Sequence, residues 1–150
     1  MHSTIVCKLN IKIGGENLVG ILIVTHGEFG KQLIKSAELI VGEQENISAL
    51  SLCLGDNIDE LDSNIGREIL KLDNGDGVII FTDLFGGTPS NIVSRNIKEG
   101  KIYSIAGVNM PMILEILISR TSNNNLNSLV SNCIKEGTTG IIDVYKRLLD

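Results

Sequence analysis

His26, Asp83 and the run Gly86-Gly87-Thr88-Pro89 are the residues of this chain whose types and order suit chemistry. A histidine that donates one ring N–H to a carboxylate is fixed in a single tautomer. The lone pair of its other nitrogen is then free to act as base, nucleophile or ligand. Two successive glycines let the backbone turn sharply and approach a ligand closely. Thr88-Pro89 reads as an N-cap and first helical position, so the helix it opens points free N–H groups and its positive end at the same place. That end suits a phosphoryl group, contributing about 0.3–1 kcal/mol, up to ~2 kcal/mol when partly buried. The combination suggests reversible phosphorylation of the histidine itself. The imidazole of His26 attacks phosphorus in line, Asp83 steadies the cation that develops, and the N–H groups of Gly86, Gly87 and Thr88 hold the phosphoryl oxygens.

Each residue also has a plainer role open to it. A lone histidine at a strand end is more often a structural hydrogen-bonder, Asp83 could cap a turn, and Thr25 could be an ordinary β-branched strand residue. What favours chemistry is where the elements put them. Leu18–Thr25 is a continuous apolar, β-branched run, as in a strand buried on both faces. Ile47–Leu54, Val78–Thr82 and Ile102–Ala106 read as further strands, and Ile141–Tyr145 as a last one. Between them Lys31–Val41 carries an apolar stripe at helical spacing. Asn57 and Glu60 form a capping pair for a helix whose shared face is Ile58, Leu61, Ile65, Ile69 and Leu72. Helices follow from Thr88 to about Ile97, from Met110 to about Ser119, and along Leu126, Leu129, Val130, Cys133 and Ile134, with Gly137-Thr138-Thr139-Gly140 breaking the last.

Strands alternating with helices of this length define an α/β fold: a doubly wound, mainly parallel open sheet with helices on both faces. In such sheets ligands sit outside the carboxyl ends of the strands, at the switch in strand order. If the first and third strands are neighbours, His26 and Asp83 face each other across one groove. Thr25 and Gly27 flank the histidine as supporting residues.

Composition removes other classes of function. Aromatic residues make up 3% of the chain and tryptophan is absent, so a base-stacking platform is disfavoured. Net charge is −5 with no lysine or arginine cluster, which disfavours a nucleic-acid backbone. No metal-ligand cluster, Walker-type loop or dinucleotide fingerprint follows a strand, so no cofactor or metal is implied and phosphate would arrive on another protein. Cys7, Cys53 and Cys133 form no C-x-x-C pair and read as reduced, buried thiols of a cytoplasmic protein. Residues 1–17 lack periodicity and stand apart from a domain at 18–150. Gly14-Gly15-Glu16 can be encoded by a purine-rich, ribosome-binding type of stretch, which would make Leu18 or Val19 an original start and the leader translated upstream sequence. The plainer reading is a flexible or edge-strand extension, and a native N-terminus at Met1 would support it.

Four segments together resemble the enzyme IIA domain of the mannose-type sugar phosphotransferase system. They are Val24-Thr25-His26-Gly27, Gly42-Glu43-Gln44-Glu45-Asn46, Thr82-Asp83-Leu84-Phe85-Gly86-Gly87-Thr88-Pro89 and Ala106-Gly107-Val108-Asn109-Met110-Pro111-Met112. The resemblance implies that His26 accepts a phosphoryl group from the phosphocarrier protein HPr and passes it to a IIB partner. That partner phosphorylates sugar entering through membrane IIC and IID subunits. It also implies that Asp83 orients the histidine and that Thr88 assists at the phosphoryl site. A homodimer is implied too, in which Ile141–Tyr145 forms an antiparallel edge strand exchanged between subunits. Ser90 departs from the phenylalanine common in the family after the proline, and residues 1–17 have no counterpart there. Two other readings use the same histidine: the phosphoryl-donating subunit of a dihydroxyacetone kinase, and a regulatory module whose phosphorylated state a partner reads. A flavodoxin-like domain fits less well, because flavin favours aromatic stacking.

Overall fold

The computed structural model describes residues 18–149. The expected leader, residues 1–17 with Cys7, lies outside them. Ten elements follow one another: β1 (Gly20–His26), α1 (Phe29–Val41), β2 (Ile47–Leu52), α2 (Ile58–Leu72), β3 (Val78–Thr82), α3 (Thr88–Ser94), β4 (Ile102–Ala106), α4 (Met110–Ser119), α5 (Leu126–Thr139) and α6 (Val144–Arg147).

The four strands form one sheet in the order β2-β1-β3-β4, and every neighbouring pair is parallel. The chain runs outward from β1 to β2, then crosses back to β3, so the strand order switches between β1 and β3. Strand residues alternate between two cores, as the period of two requires. Ile21, Ile23, Ile79 and Phe81 pack with Leu33 and Ala37 of α1, Ile113 and Ile116 of α4, and Leu129 and Cys133 of α5. Leu22, Val24, Val78 and Ile80 pack with Leu61, Ile65 and Ile69 of α2 and Ile92 and Val93 of α3. Asn57 caps α2, accepting from the N–H groups of Asp59 and Glu60.

Five expectations are corrected. Pairing in β2 stops at Leu52, not Leu54, because Asp56 Oδ2 accepts the N–H of Cys53 at 2.7 Å and closes a turn. Cys53 is therefore exposed rather than core, unlike the buried Cys133. Within the expected break it is Gly140 that ends α5, as its C-cap, while Gly137 lies inside the helix; a side chain there would come within 2.5 Å of Met112, so its small size lets α5 lie close on α4. The helix opened by Thr88 ends at Ser94, three residues short of Ile97. Finally, Ile141–Tyr145 is not a strand within this chain. Asp143 accepts the N–H of Lys146 at 3.2 Å and caps α6, drawing the segment into a helical turn.

Candidate functional site

The carboxyl ends of β1 and β3 meet at the switch point, and each strand delivers one polar side chain there. His26 is the last residue of β1, and Asp83 directly follows β3. Asp83 Oδ2 accepts twice from the same histidine: from the backbone N–H at 2.9 Å and from ring Nδ1 at 2.8 Å. Burial would raise the Asp83 pKa, but these hydrogen bonds and the nearby imidazole together hold it below its usual 3.8. The carboxylate is thus ionised at neutral pH and can only accept, so Nδ1 carries the proton and a neutral ring has its lone pair on Nε2. Asp83 is largely covered, its side chain 17% exposed, whereas His26 is 49% exposed. A largely shielded carboxylate thus holds one edge of a half-exposed ring.

The turn after β1 fixes where the histidine stands. Gly27 N–H donates to Leu52 O at 2.9 Å, tying the turn to β2. Buried Thr25 Oγ1 accepts the N–H of Gly30 at 2.9 Å, anchoring the start of α1. Thr25 and Gly27 therefore hold the strand-to-helix turn rather than touch the ring. Beyond it, Ser51 Oγ donates to Glu28 Oε1 at 3.3 Å on the β2 side. A small polar cavity of about 160 Å³ opens there, lined by Ser51, Asp56, Asn57, Glu60, Leu61 and Asn64. Neither His26 nor Asp83 lines it, so the reactive pair stands on an open face.

The glycine loop lies against the other side of the histidine. Gly86 has φ +80°, a left-handed conformation that favours glycine and turns the chain into α3. The N-cap of α3 is Gly87, with Thr88 as the first helical residue, which corrects the expected cap at Thr88. No side chain caps this helix, so the N–H groups of Thr88 and Ser90 in its first turn are not taken up by a cap. Asn91 clasps the loop, donating its side-chain N–H to Gly86 O at 3.2 Å and its backbone N–H to Gly87 O at 3.0 Å. Pro89, Ile92 and Val93 are buried beneath. Two buried polar atoms near this end have no partner among the described residues: Asp83 Oδ1 and Thr82 Oγ1.

Sequence reading gave no role to two neighbours. Leu84 and Phe85, between Asp83 and the glycines, are 61% and 87% exposed. Large apolar side chains held out on a loop beside a polar centre make a contact surface. Their signal was an apolar pair inside an otherwise polar, glycine-rich segment.

A histidine at the switch point, held by a carboxylate and faced by a glycine-rich helix start, defines a parallel α/β protein that presents an imidazole at the carboxyl end of its sheet. The comparisons with known proteins agree in kind. The family model described as PTS system fructose IIA component matches residues 20–134. The chain is 36% identical over 124 residues to the PTS system mannose-specific EIIAB component of Escherichia coli (strain K12), covering 82% of this chain and 38% of that protein. It thus spans well under half the length of that relative. It is 32% identical over 104 residues to the PTS system fructose-specific EIIA component of Bacillus subtilis (strain 168), covering 69% of this chain and 71% of that one. The crystal structure of phosphotransferase system component EIIA from Streptococcus agalactiae superimposes with a TM-score of 0.78 at 30% identity, covering 86% of this chain and 99% of that chain. The chain belongs to the mannose-type IIA family of the sugar phosphotransferase system. Among the described residues, no helix is long and apolar enough to cross a membrane.

Proposed function

We propose that this chain is a cytoplasmic histidine phosphocarrier of a phosphoenolpyruvate-dependent sugar phosphotransferase system. One observation carries the reading: Asp83 engages Nδ1 of His26 at 2.8 Å, while the half-exposed ring leaves Nε2 as the nucleophilic atom. In the forward step the Nε2 lone pair attacks phosphorus on the phosphohistidine of HPr. An Nε2–P bond forms, the donor's N–P bond breaks, and its electron pair returns to the donor imidazole. His26 becomes cationic as it bonds, and the Asp83 carboxylate stabilises that charge through Nδ1–H. The N–H groups of Thr88 and Ser90 are the donors for the phosphoryl oxygens, with the Thr88 hydroxyl beside them and Gly86 and Gly87 shaping the turn. The second step is the same displacement with a IIB partner as acceptor; the membrane IIC and IID subunits are engaged only through IIB.

Protein donors and acceptors fit an open face rimmed by Leu84 and Phe85 better than a small-molecule phosphodonor does. A homodimer belongs to this reading. Ile141, Ile142, Val144, Tyr145, Leu148 and Leu149 are all at least 58% exposed in the single chain, and a second subunit would cover them. The testing experiment combines the purified chain with enzyme I, HPr and phosphoenolpyruvate, then adds a IIB domain. The expected result is one acid-labile phosphoryl group by intact mass, absent in His26→Ala and discharged onto IIB. Phosphorylation without discharge onto IIB would favour the regulatory or dihydroxyacetone-kinase reading. No phosphorylation would remove the carrier role.

A further inference from the structure

The two glycines of the loop are glycine for different reasons, and the second concerns the histidine. Gly86 needs its left-handed φ of +80°. Gly87 has φ −72° and ψ 163°, an extended conformation that any residue adopts. Neither turn geometry nor backbone strain therefore calls for glycine at position 87. What lies in front of its Cα does: a Cβ there would sit 3.1 Å from His26 Cε1, with Leu84 O at 3.4 Å and Leu84 Cβ at 3.7 Å behind. Carbon atoms in ordinary contact stand about 3.5–4.0 Å apart.

We infer that Gly87 is a positioning residue for His26, its missing side chain leaving the space that the imidazole occupies as it reaches Asp83. The inference rests on the phosphocarrier reading for its functional consequence, but its geometric part stands without it. With a methyl group at position 87, either the loop or the ring must retreat. The loop is held at both ends. Gly87 N–H donates to Leu84 O at 3.3 Å, its carbonyl accepts from Asn91 at 3.0 Å, and Pro89 is buried just beyond. The ring is the looser party, being 49% exposed and held by one side-chain hydrogen bond. The carboxylate would stay, because Asp83 Oδ2 also accepts the backbone N–H of His26 at 2.9 Å. Ring rotation therefore breaks the Nδ1 contact alone. The imidazole loses its tautomer lock, and Nε2 swings off the line of attack without disturbing the surface that a partner would meet.

The test is Gly87→Ala in a His2→Gln background, which leaves His26 as the only histidine of the chain. Long-range nitrogen–proton spectra of the ring report the tautomer directly. The expected spectra show the Nδ1–H form dominant in the parent and a shift toward the Nε2–H form in Gly87→Ala. Transfer from phosphorylated HPr should slow about 10–100-fold through kcat, with KM little changed, as expected for a reacting atom displaced by a fraction of an ångström to an ångström. In an Asp83→Asn background, where the lock is already gone, adding Gly87→Ala should slow transfer little further. An unchanged tautomer in Gly87→Ala would overturn the inference. So would full additivity with Asp83→Asn, or a variant that loses the fold's circular dichroism, since that would show glycine is required by the backbone. If the parent accepted no phosphoryl group at all, the carrier reading would fall while the spectra still decided the role of Gly87.

Discussion

At the carboxyl end of the sheet His26 is 49% exposed, one carboxylate oxygen holds it, and Asp83 Oδ1 and Thr82 Oγ1 are left without partners. At the amino end Arg120 is 2% exposed and its guanidinium is nearly enclosed by neutral oxygens. It donates to Val19 O at 3.0 Å, Asn46 O at 3.1 Å, Glu45 O at 2.6 Å and Gln44 Oε1 at 3.4 Å. Asn46 extends this knot, donating to Leu18 O at 2.8 Å and Leu72 O at 2.9 Å from a backbone with φ +53°. Burial lowers the Arg120 pKa to about 10, which still leaves it charged at neutral pH. Arg120 Nε and Asp76 Oδ2 have no partner among the described residues, but this end otherwise directs its side-chain donors mainly at the chain's own backbone, tying α4, β1, α2 and the α1–β2 turn together. The other end leaves Asp83 Oδ1 and Thr82 Oγ1 without partners beside a half-exposed ring. The Gly42–Asn46 segment, which carries part of the family resemblance, belongs wholly to the first kind.

The division predicts that substitutions at one end alter transfer and at the other alter stability. His26→Ala should lose phosphoryl transfer altogether while its urea midpoint stays near wild type; residual label on another residue would break the division. Asp83→Asn should slow transfer by about 10³–10⁴-fold, by analogy with a catalytic histidine deprived of its carboxylate. Stopped-flow kinetics within tenfold of wild type would make Asp83 structural. Arg120→Met should behave oppositely. It leaves the carbonyls of Val19 and Glu45 without their donor and should cost about 2–4 kcal/mol by urea unfolding, at an unchanged transfer rate per folded molecule.

Two smaller effects sharpen the contrast. Because Asp83 titrates lower in the folded chain than in the unfolded one, its stabilisation is fully present well above its usual 3.8 and is lost as pH falls through its lowered range. The stability gap between wild type and Asp83→Asn should therefore narrow as pH falls below the usual carboxylate range in denaturant titrations. Cys53, exposed at the reactive end, should react with a thiol reagent in the native protein. Cys133, whose thiol burial pushes up to about 12, should react only after unfolding, and mass mapping of a Cys7→Ser variant separates the two.

Much of this was legible in the amino-acid sequence because the signals were local. Continuous apolar runs mark strands buried on both faces, and residues at their carboxyl ends must share the switch-point face once the strand order is right. His26 and Asp83 were readable for that reason. Arg120 was not: its partners lie 74 to 101 residues away in sequence, and an arginine after Ser119 looks like any helix terminus. Gly137 looked like a breaker because spacing alone does not tell a glycine that ends a helix from one that lets Met112 approach. Cys53 was misread because a side chain from the following turn, Asp56, takes its N–H and ends the strand early. Gly87 looked like a partner to Gly86, and only the position of the His26 ring separates their roles.

The most direct test of the account is the site of the phosphoryl group on nitrogen-labelled protein charged by enzyme I and HPr. Phosphorus–nitrogen coupling distinguishes the two ring positions. The account predicts a single phosphohistidine, at Nε2 of His26, with Nδ1 still protonated toward Asp83. Phosphorus on Nδ1, or on any residue other than His26, would contradict it.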